Sequence, residues 1–170
     1  MSHPWSVWLE PCESDRIQLQ KLIRDFCARF NSPVFDPHLT LFGRVAKDPV
    51  ATFPFFENFV KDFGPISLNV LGIKTGEPPW KSLYLQIGKN NELGQVQKEF
   101  DYYLNDYRHY EFDPHLSLAY GDLSINGSEL DHISFPETIT FSSVAFVATP
   151  DEITNWKMIN QFGLGGGVSP

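Results

Sequence analysis

Two short stretches, His38–Phe42 (HLTLF) and His115–Ala119 (HLSLA), alternate polar and leucine positions with a period of two. That is the mark of a strand with one buried face. Similar arguments predict strands over Ser6–Glu10, Ser82–Ile87, Ile66–Ile73 and Thr138–Ala148, the last two rich in β-branched and apolar residues. Between them the period changes. Leu19, Leu22, Ile23, Phe26 and Phe30 recur at helical spacing in a segment that Ser14 or Asp15 would cap. Leu93, Val96, Phe100, Tyr103 and Tyr107 define a second helix from about Glu92 to Asp106. Phe56, Phe59, Val60 and Phe63 predict a third, started near Thr52 and Pro54.

The order strand, helix, motif strand occurs twice. His38 and His115 lie 77 residues apart, and the same offset takes Trp8 to Leu85, Phe26 to Tyr103, Phe30 to Tyr107 and Phe35 to Phe112. Trp80-Lys81 and Trp156-Lys157 repeat at an offset of 76. A duplicated α+β fold follows: residues 1–170 form one bilobal domain, with halves at about 5–76 and 80–162 and a flexible tail at 163–170. Two antiparallel sheets are expected to face a central cleft, with helices outside. Equivalent residues then meet about a pseudo-two-fold axis, which brings His38 towards His115.

Composition narrows the function. Thirteen basic against 21 acidic residues leave a net charge of −8, which disfavours a binder of long nucleic acid. A small phosphorylated ligand held by a few groups remains compatible. Cys12 and Cys27 make no metal-type spacing and fit a reduced cytoplasmic protein, packed as small hydrophobes. The opening MSHPWSVWLEPCESD lacks a basic and an apolar signal region, and no apolar run is long enough for a membrane span. A monomer is the expectation. Core filling is the default for the 15 phenylalanines, with some aromatics left to line a pocket.

Leucines on one face of each motif strand leave an imidazole and a hydroxyl on the other, roughly 7 Å apart. Two such faces around one cavity suit the hydrolysis of a phosphodiester, above all a cyclic one. One neutral histidine takes a proton from water while the other, protonated, gives one to the leaving oxygen. Hydroxyls stabilise the charge that builds on the non-bridging oxygens. Two histidines with Thr and Ser make a poor zinc site, and no cofactor is expected. Asp36 and Asp113 precede prolines and mark turns, with imidazole orientation as the alternative. Trp80 and Trp156 either stack on a base or fill the core. Lys81 and Lys157 are expected to be solvated, with phosphate neutralisation as the alternative. His3, His109 and His132 fit no pattern and are expected at the surface.

The paired tetrads HLTL and HLSL resemble those of the two-histidine (2H) phosphodiesterase superfamily. Their contexts, HLTLFG and HLSLAYG, are most similar to the plant-type cyclic phosphodiesterases, over about Ser6 to Ile159. The resemblance implies metal-independent hydrolysis of ADP-ribose 1″,2″-cyclic phosphate and of nucleoside 2′,3′-cyclic phosphates. It makes His38 and His115 catalytic, puts Thr40 and Ser117 on the phosphate, and sets Tyr120 near the phosphate or its water. Gly43 stands where the first half would carry the counterpart of Tyr120. His115 is assigned as base because Tyr120 follows it, and His38 as acid, with the exchange of roles open. The competing readings are a 2′,5′-phosphodiesterase or RNA-end-processing relative, and a nucleotide-binding module without turnover.

Overall fold

The computed structural model describes residues 3–166. Strand β1 (Trp5–Pro11) leads into helix α1 (Glu13–Phe30) and the first motif strand β2 (Leu39–Val45). Helix α2 (Phe53–Lys61) and strand β3 (Ile66–Thr75) follow, then β4 (Leu83–Ile87), helix α3 (Asn91–Leu104) and the second motif strand β5 (His115–Ala119). The chain ends with β6 (Thr138–Ala148) and β7 (Lys157–Gly163). Among the described residues no helix is long and apolar enough to cross a membrane.

Helix ends depart from the sequence reading for identifiable reasons. α1 starts earlier than a Ser14 or Asp15 cap would allow: the N-cap is Cys12, in extended conformation. Asp15 is used elsewhere, accepting the Thr140 backbone N–H at 2.8 Å and tying the start of the helix to β6. The helix stops at Asn31, whose left-handed conformation (φ 53°) lets its N–H reach the Cys27 carbonyl. Leu19, Ile23, Phe26 and Cys27 enter the core, while Leu22 and Phe30 are only half-buried. Helix α3 is capped by Asn90, which accepts from the Leu93 N–H at 2.8 Å. It ends at Leu104 rather than Asp106, so Leu104 is its last buried residue and Tyr107 lies outside, 36% exposed.

Strand β7 has no counterpart among the elements that periodicity predicts. Its sequence, KMINQFG, has no clean alternation because it is an edge strand with one ladder, against β6, from Ala148↔Lys157 to Ser143↔Gly163. Of the expected tail, Gly163 closes β7 and Leu164–Gly166 form a short 3-10 turn in which Leu164 is buried. The rest of that expectation, over 167–170, lies outside the described residues.

All seven strands are hydrogen-bonded into one antiparallel network, in the order β1-β2-β5-β4-β3-β6-β7, with β6 also pairing β1. Within it, β2-β1-β6-β7 and β5-β4-β3 are two runs of neighbouring strands. The two are joined by the single pair Leu39↔Leu116 and by the ladder from Ile66↔Phe141 to Asn69↔Thr138. The halves read from the sequence are interleaved in this arrangement. β3, from the first half, pairs β4 of the second, and β6, from the second, pairs β1 of the first along its whole length. Behind the strands the phenylalanines do fill a core: Phe56 of α2 lies 4.7 Å from Phe100 of α3 and 4.5 Å from Phe146 of β6, ring centre to ring centre.

Interleaving predicts that neither half folds alone. Fragments 1–77 and 78–170 should each lack a cooperative thermal transition by circular dichroism, because each leaves a central ladder unpaired. Mixing them should restore one. A cooperative transition in either isolated fragment would contradict this topology.

Candidate active site

The two motif strands run antiparallel and meet at Leu39↔Leu116, residues that are themselves 77 positions apart. Equivalent residues standing opposite one another mark a local two-fold axis between the strands. Leu39, Leu41, Leu116 and Leu118 are fully buried behind it. His38, Thr40 and His115 are thereby turned to the other side, where all three line one cavity of about 250 Å³.

Both histidines are held by the same local device. Each follows an Asp-Pro pair, and the turn brings the Asp36 carbonyl to 2.7 Å from His38 Nδ1 and the Asp113 carbonyl to 2.7 Å from His115 Nδ1. A carbonyl oxygen only accepts, so each Nδ1 carries its hydrogen and each Nε2 is left to gain or lose a proton. The backbone of the turn, not the aspartate side chain, orients the ring.

Beyond that device the two sides differ. The His38 ring stacks flat on Trp8, 3.5 Å between centres and 6° from parallel, and has Phe35 and Trp156 at its edges. Burial among these rings strips its hydration and pulls its pKa down to about 3. His115 is half-exposed, with Tyr84 set edge-on at 5.4 Å. Burial lowers its pKa also, and the Lys81 charge adds to this, while the bond to the Asp113 carbonyl and the Asp113 carboxylate oppose it. Burial works against ionisation of Asp113, but bonds from Lys81 and Gln86 outweigh it and hold that carboxyl below its ordinary range.

The strand ladders explain the difference. Trp8 stands opposite Thr40 in β1 and β2, and Tyr84 opposite Ser117 in β4 and β5. The spatial counterpart of Trp8 is thus Tyr84, not the Leu85 that a constant offset selects. Tyrosine is the smaller ring and does not cover its histidine.

Tyr120 is buried against Phe35, Trp80 and Trp156. Burial pushes the phenol pKa well above its usual value, so Tyr120 keeps its proton and serves as a donor. Tyr120 lines the cavity; Ser117 is buried and does not. Across the axis, Gly43 leaves open the place where the first half has no tyrosine. A side-chain carbon there would come within 3.3 Å of the Tyr110 ring, which occupies the space from the loop after α3.

Trp80 and Trp156 both line the cavity, 6.3 Å apart and 23° from parallel. Trp156 is anchored by its indole N–H to the Pro150 carbonyl at 2.9 Å. Lys81 lines the cavity as well, whereas Lys157 is exposed and lies elsewhere. Sequence reasoning missed Trp8, Arg44 and Arg108, three further lining residues. Trp8 was legible in part: with Ser6 it occupies one face of β1 at period two. Arg108 follows α3 in a loop with no pattern to flag it. None of the described lining residues is acidic, in a chain of net charge −8. Among the described residues no three His, Cys, Asp or Glu side chains come together as a metal-ligand cluster. A larger hollow of about 710 Å³, at the end of α3 between Lys98 and Tyr107, holds none of the motif residues.

No curated protein sequence matches the chain. Solved structures share its fold at low identity. Escherichia coli LigT complexed with 3′-AMP superposes with a TM-score of 0.65 at 11% identity, over 96% of this chain and 99% of that one. TT0787 of Thermus thermophilus gives 0.68 at 14%, over 96% and 98%. LigT complexed with NADP+ gives 0.66 at 12%, over 97% and 99%. The family model described as cyclic phosphodiesterase-like protein matches residues 1–164. By that match the chain belongs to the cyclic phosphodiesterase-like family of 2H phosphoesterases, and it is an enzyme of that phosphodiesterase type.

Proposed function

We propose that this enzyme hydrolyses small cyclic phosphodiesters without a metal, converting ADP-ribose 1″,2″-cyclic phosphate to ADP-ribose 1″-phosphate and nucleoside 2′,3′-cyclic phosphates to 2′-phosphates. The observation that carries the reading is the pair of imidazoles on one cavity, each with Nδ1 committed to a carbonyl and Nε2 free. The nucleotide complexes of E. coli LigT, with 3′-AMP and with NADP+, are consistent with a ligand of this class in this fold.

A water attacks phosphorus opposite the leaving ring oxygen. One Nε2 takes the water's proton, and the other gives a proton to the departing oxygen, which becomes a hydroxyl. Thr40, Tyr120 and Lys81 stabilise charge on the non-bridging oxygens. Trp80 and Trp156 supply flat faces for a base.

Burial favours the exchange of the two histidine roles that the sequence left open. A base must be neutral before the reaction, and His38, with its pKa near 3, is neutral at any ordinary pH. His115 has the smaller loss of water and the more open ring, and an anionic phosphate beside it favours its protonated form. His38 is therefore the base on water and His115 the acid to the leaving oxygen.

His38→Ala and His115→Ala should each cut turnover by about 10²–10⁴-fold, measured by phosphorus NMR on both substrates in excess EDTA. Thr40→Ala should cost roughly 3 kcal/mol of transition-state stabilisation. Retained ligand binding with no product from the native protein would replace the enzyme reading with a binding module, and loss of activity in EDTA would restore a metal. A substrate with sulfur at the leaving bridging position separates the roles: a thiolate departs unprotonated, so His115→Ala should recover on it and His38→Ala should not. Recovery of His38→Ala alone would return the roles to those read from sequence.

The pH profile follows from the same shifts. The acid must be protonated in the free enzyme, and the His115 pKa is lowered from 6.5. We expect kcat/KM to peak on the acid side of that value and to fall as pH rises through it. In kcat the falling limb should move to higher pH, because bound phosphate stabilises the imidazolium. A kcat/KM profile flat from about pH 5 to 8 would remove His115 as the acid.

A further inference from the structure

The cavity holds more positive charge than a cyclic phosphodiester needs. Such a diester carries a single negative charge, which protonated His115 already matches, while Lys81 is paired with Asp113. Arg44 and Arg108 line the same cavity, and no described carboxylate lines it to neutralise them. Both are held in place. Arg108 Nη1 donates to the Gly43 carbonyl at 2.6 Å, with the Arg44 carbonyl at 3.4 Å, so its guanidinium is fixed on the backbone of β2 beside Arg44. Arg44 sits in the left-handed region (φ 61°), unusual for a residue with a side chain. Its Nη1 donates to the Thr149 carbonyl at 3.3 Å, and its guanidinium lies 5.9 Å from the centre of the Trp80 ring. Its one anionic partner among the described residues, Asp151 at 2.7 Å, has a side chain 86% exposed, and an ion pair so open to water is weak and readily exchanged.

We propose that Arg44 and Arg108 form a second anion subsite, which binds a phosphate or diphosphate of the substrate other than the one hydrolysed. The inference rests on the hydrolytic reading above and narrows its substrate class: cyclic phosphates that carry a further phosphate are favoured over bare nucleoside cyclic phosphates. Guanidinium groups suit the task because each has five N–H donors in a plane, most of them still free here, that match phosphate oxygens in pairs. The two arginines are thus specificity residues. They act on the part of the ligand that does not react.

The test compares two substrates in the native enzyme, Arg44→Gln and Arg108→Gln. ADP-ribose 1″,2″-cyclic phosphate carries a diphosphate; adenosine 2′,3′-cyclic phosphate does not. Each substitution should lower kcat/KM for the first by about tenfold or more and for the second by less than about threefold. Equal losses on both, or none on either, would overturn the subsite. Calorimetric titration with ADP-ribose itself gives a readout independent of turnover. Its affinity should fall about tenfold in each variant while that of adenosine does not. If the native enzyme hydrolyses neither cyclic phosphate, the proposed function fails, and the ADP-ribose titration still decides the subsite: unchanged affinity in both variants, or no binding to the native protein, would end it.

Discussion

The contact on which the site depends is small: one residue pair, Leu39 opposite Leu116, where the two motif strands touch. Its consequences come from strand geometry. With the four motif leucines buried behind the strands, His38, Thr40 and His115 are turned to the other face and line the shared cavity, so burial of hydrocarbon places the imidazoles. The Asp-Pro turns then set the rings, because a carbonyl two residues back takes the Nδ1 hydrogen on each side. No charged side chain is needed to orient them. The same arrangement leaves both reactive nitrogens facing one small space.

Symmetry at the backbone is broken by what covers each ring. Under the proposed mechanism one imidazole gives a proton and the other takes one, and different surroundings bias which does which. Trp8 lies flat on His38, while Tyr84 only meets His115 edge-on, and Lys81 with Asp113 sits on the His115 side alone. The aromatic stack dehydrates one imidazole strongly, and the other keeps more contact with water and charge. Tyr120 and Tyr110 continue the asymmetry, since one grows out of the motif strand itself and the other reaches the opposite side from a distant loop.

Interleaving ties the site to the global fold. Because β6 spans β1 and β3 reaches β4, each run of strands that carries a motif strand is completed by a strand from the other half of the chain. The cleft therefore forms only when the whole chain has folded. Its cations show the same dependence: Arg44 comes from β2, Lys81 from the turn before β4 and Arg108 from the loop after α3. An acidic chain thereby presents a cavity lined by positive charge, a local property that net charge does not report.

Much of this was legible in the residues themselves. Alternation in HLTL and HLSL identified the strands and the polar faces, and the 77-residue repeat pointed His38 and His115 at one another. Helical spacing located α1, α2 and α3 to within a few residues. Period and repeat are encoded locally, through steric preference and the burial of apolar side chains, and such signals survive in a linear text. The edge strand β7, the stacking of Trp8 on His38, the burial of Ser117 away from the cavity lining and the gathering of Arg44 and Arg108 were not legible. They depend on which strands become neighbours and in what register, and a displacement of one residue exchanges Leu85 for Tyr84 opposite the motif. Sequence alone determined that two imidazoles and the Thr40 hydroxyl would share one polar face. The tertiary structure alone decided how dry each one is, because hydration is set by neighbours far away in the chain.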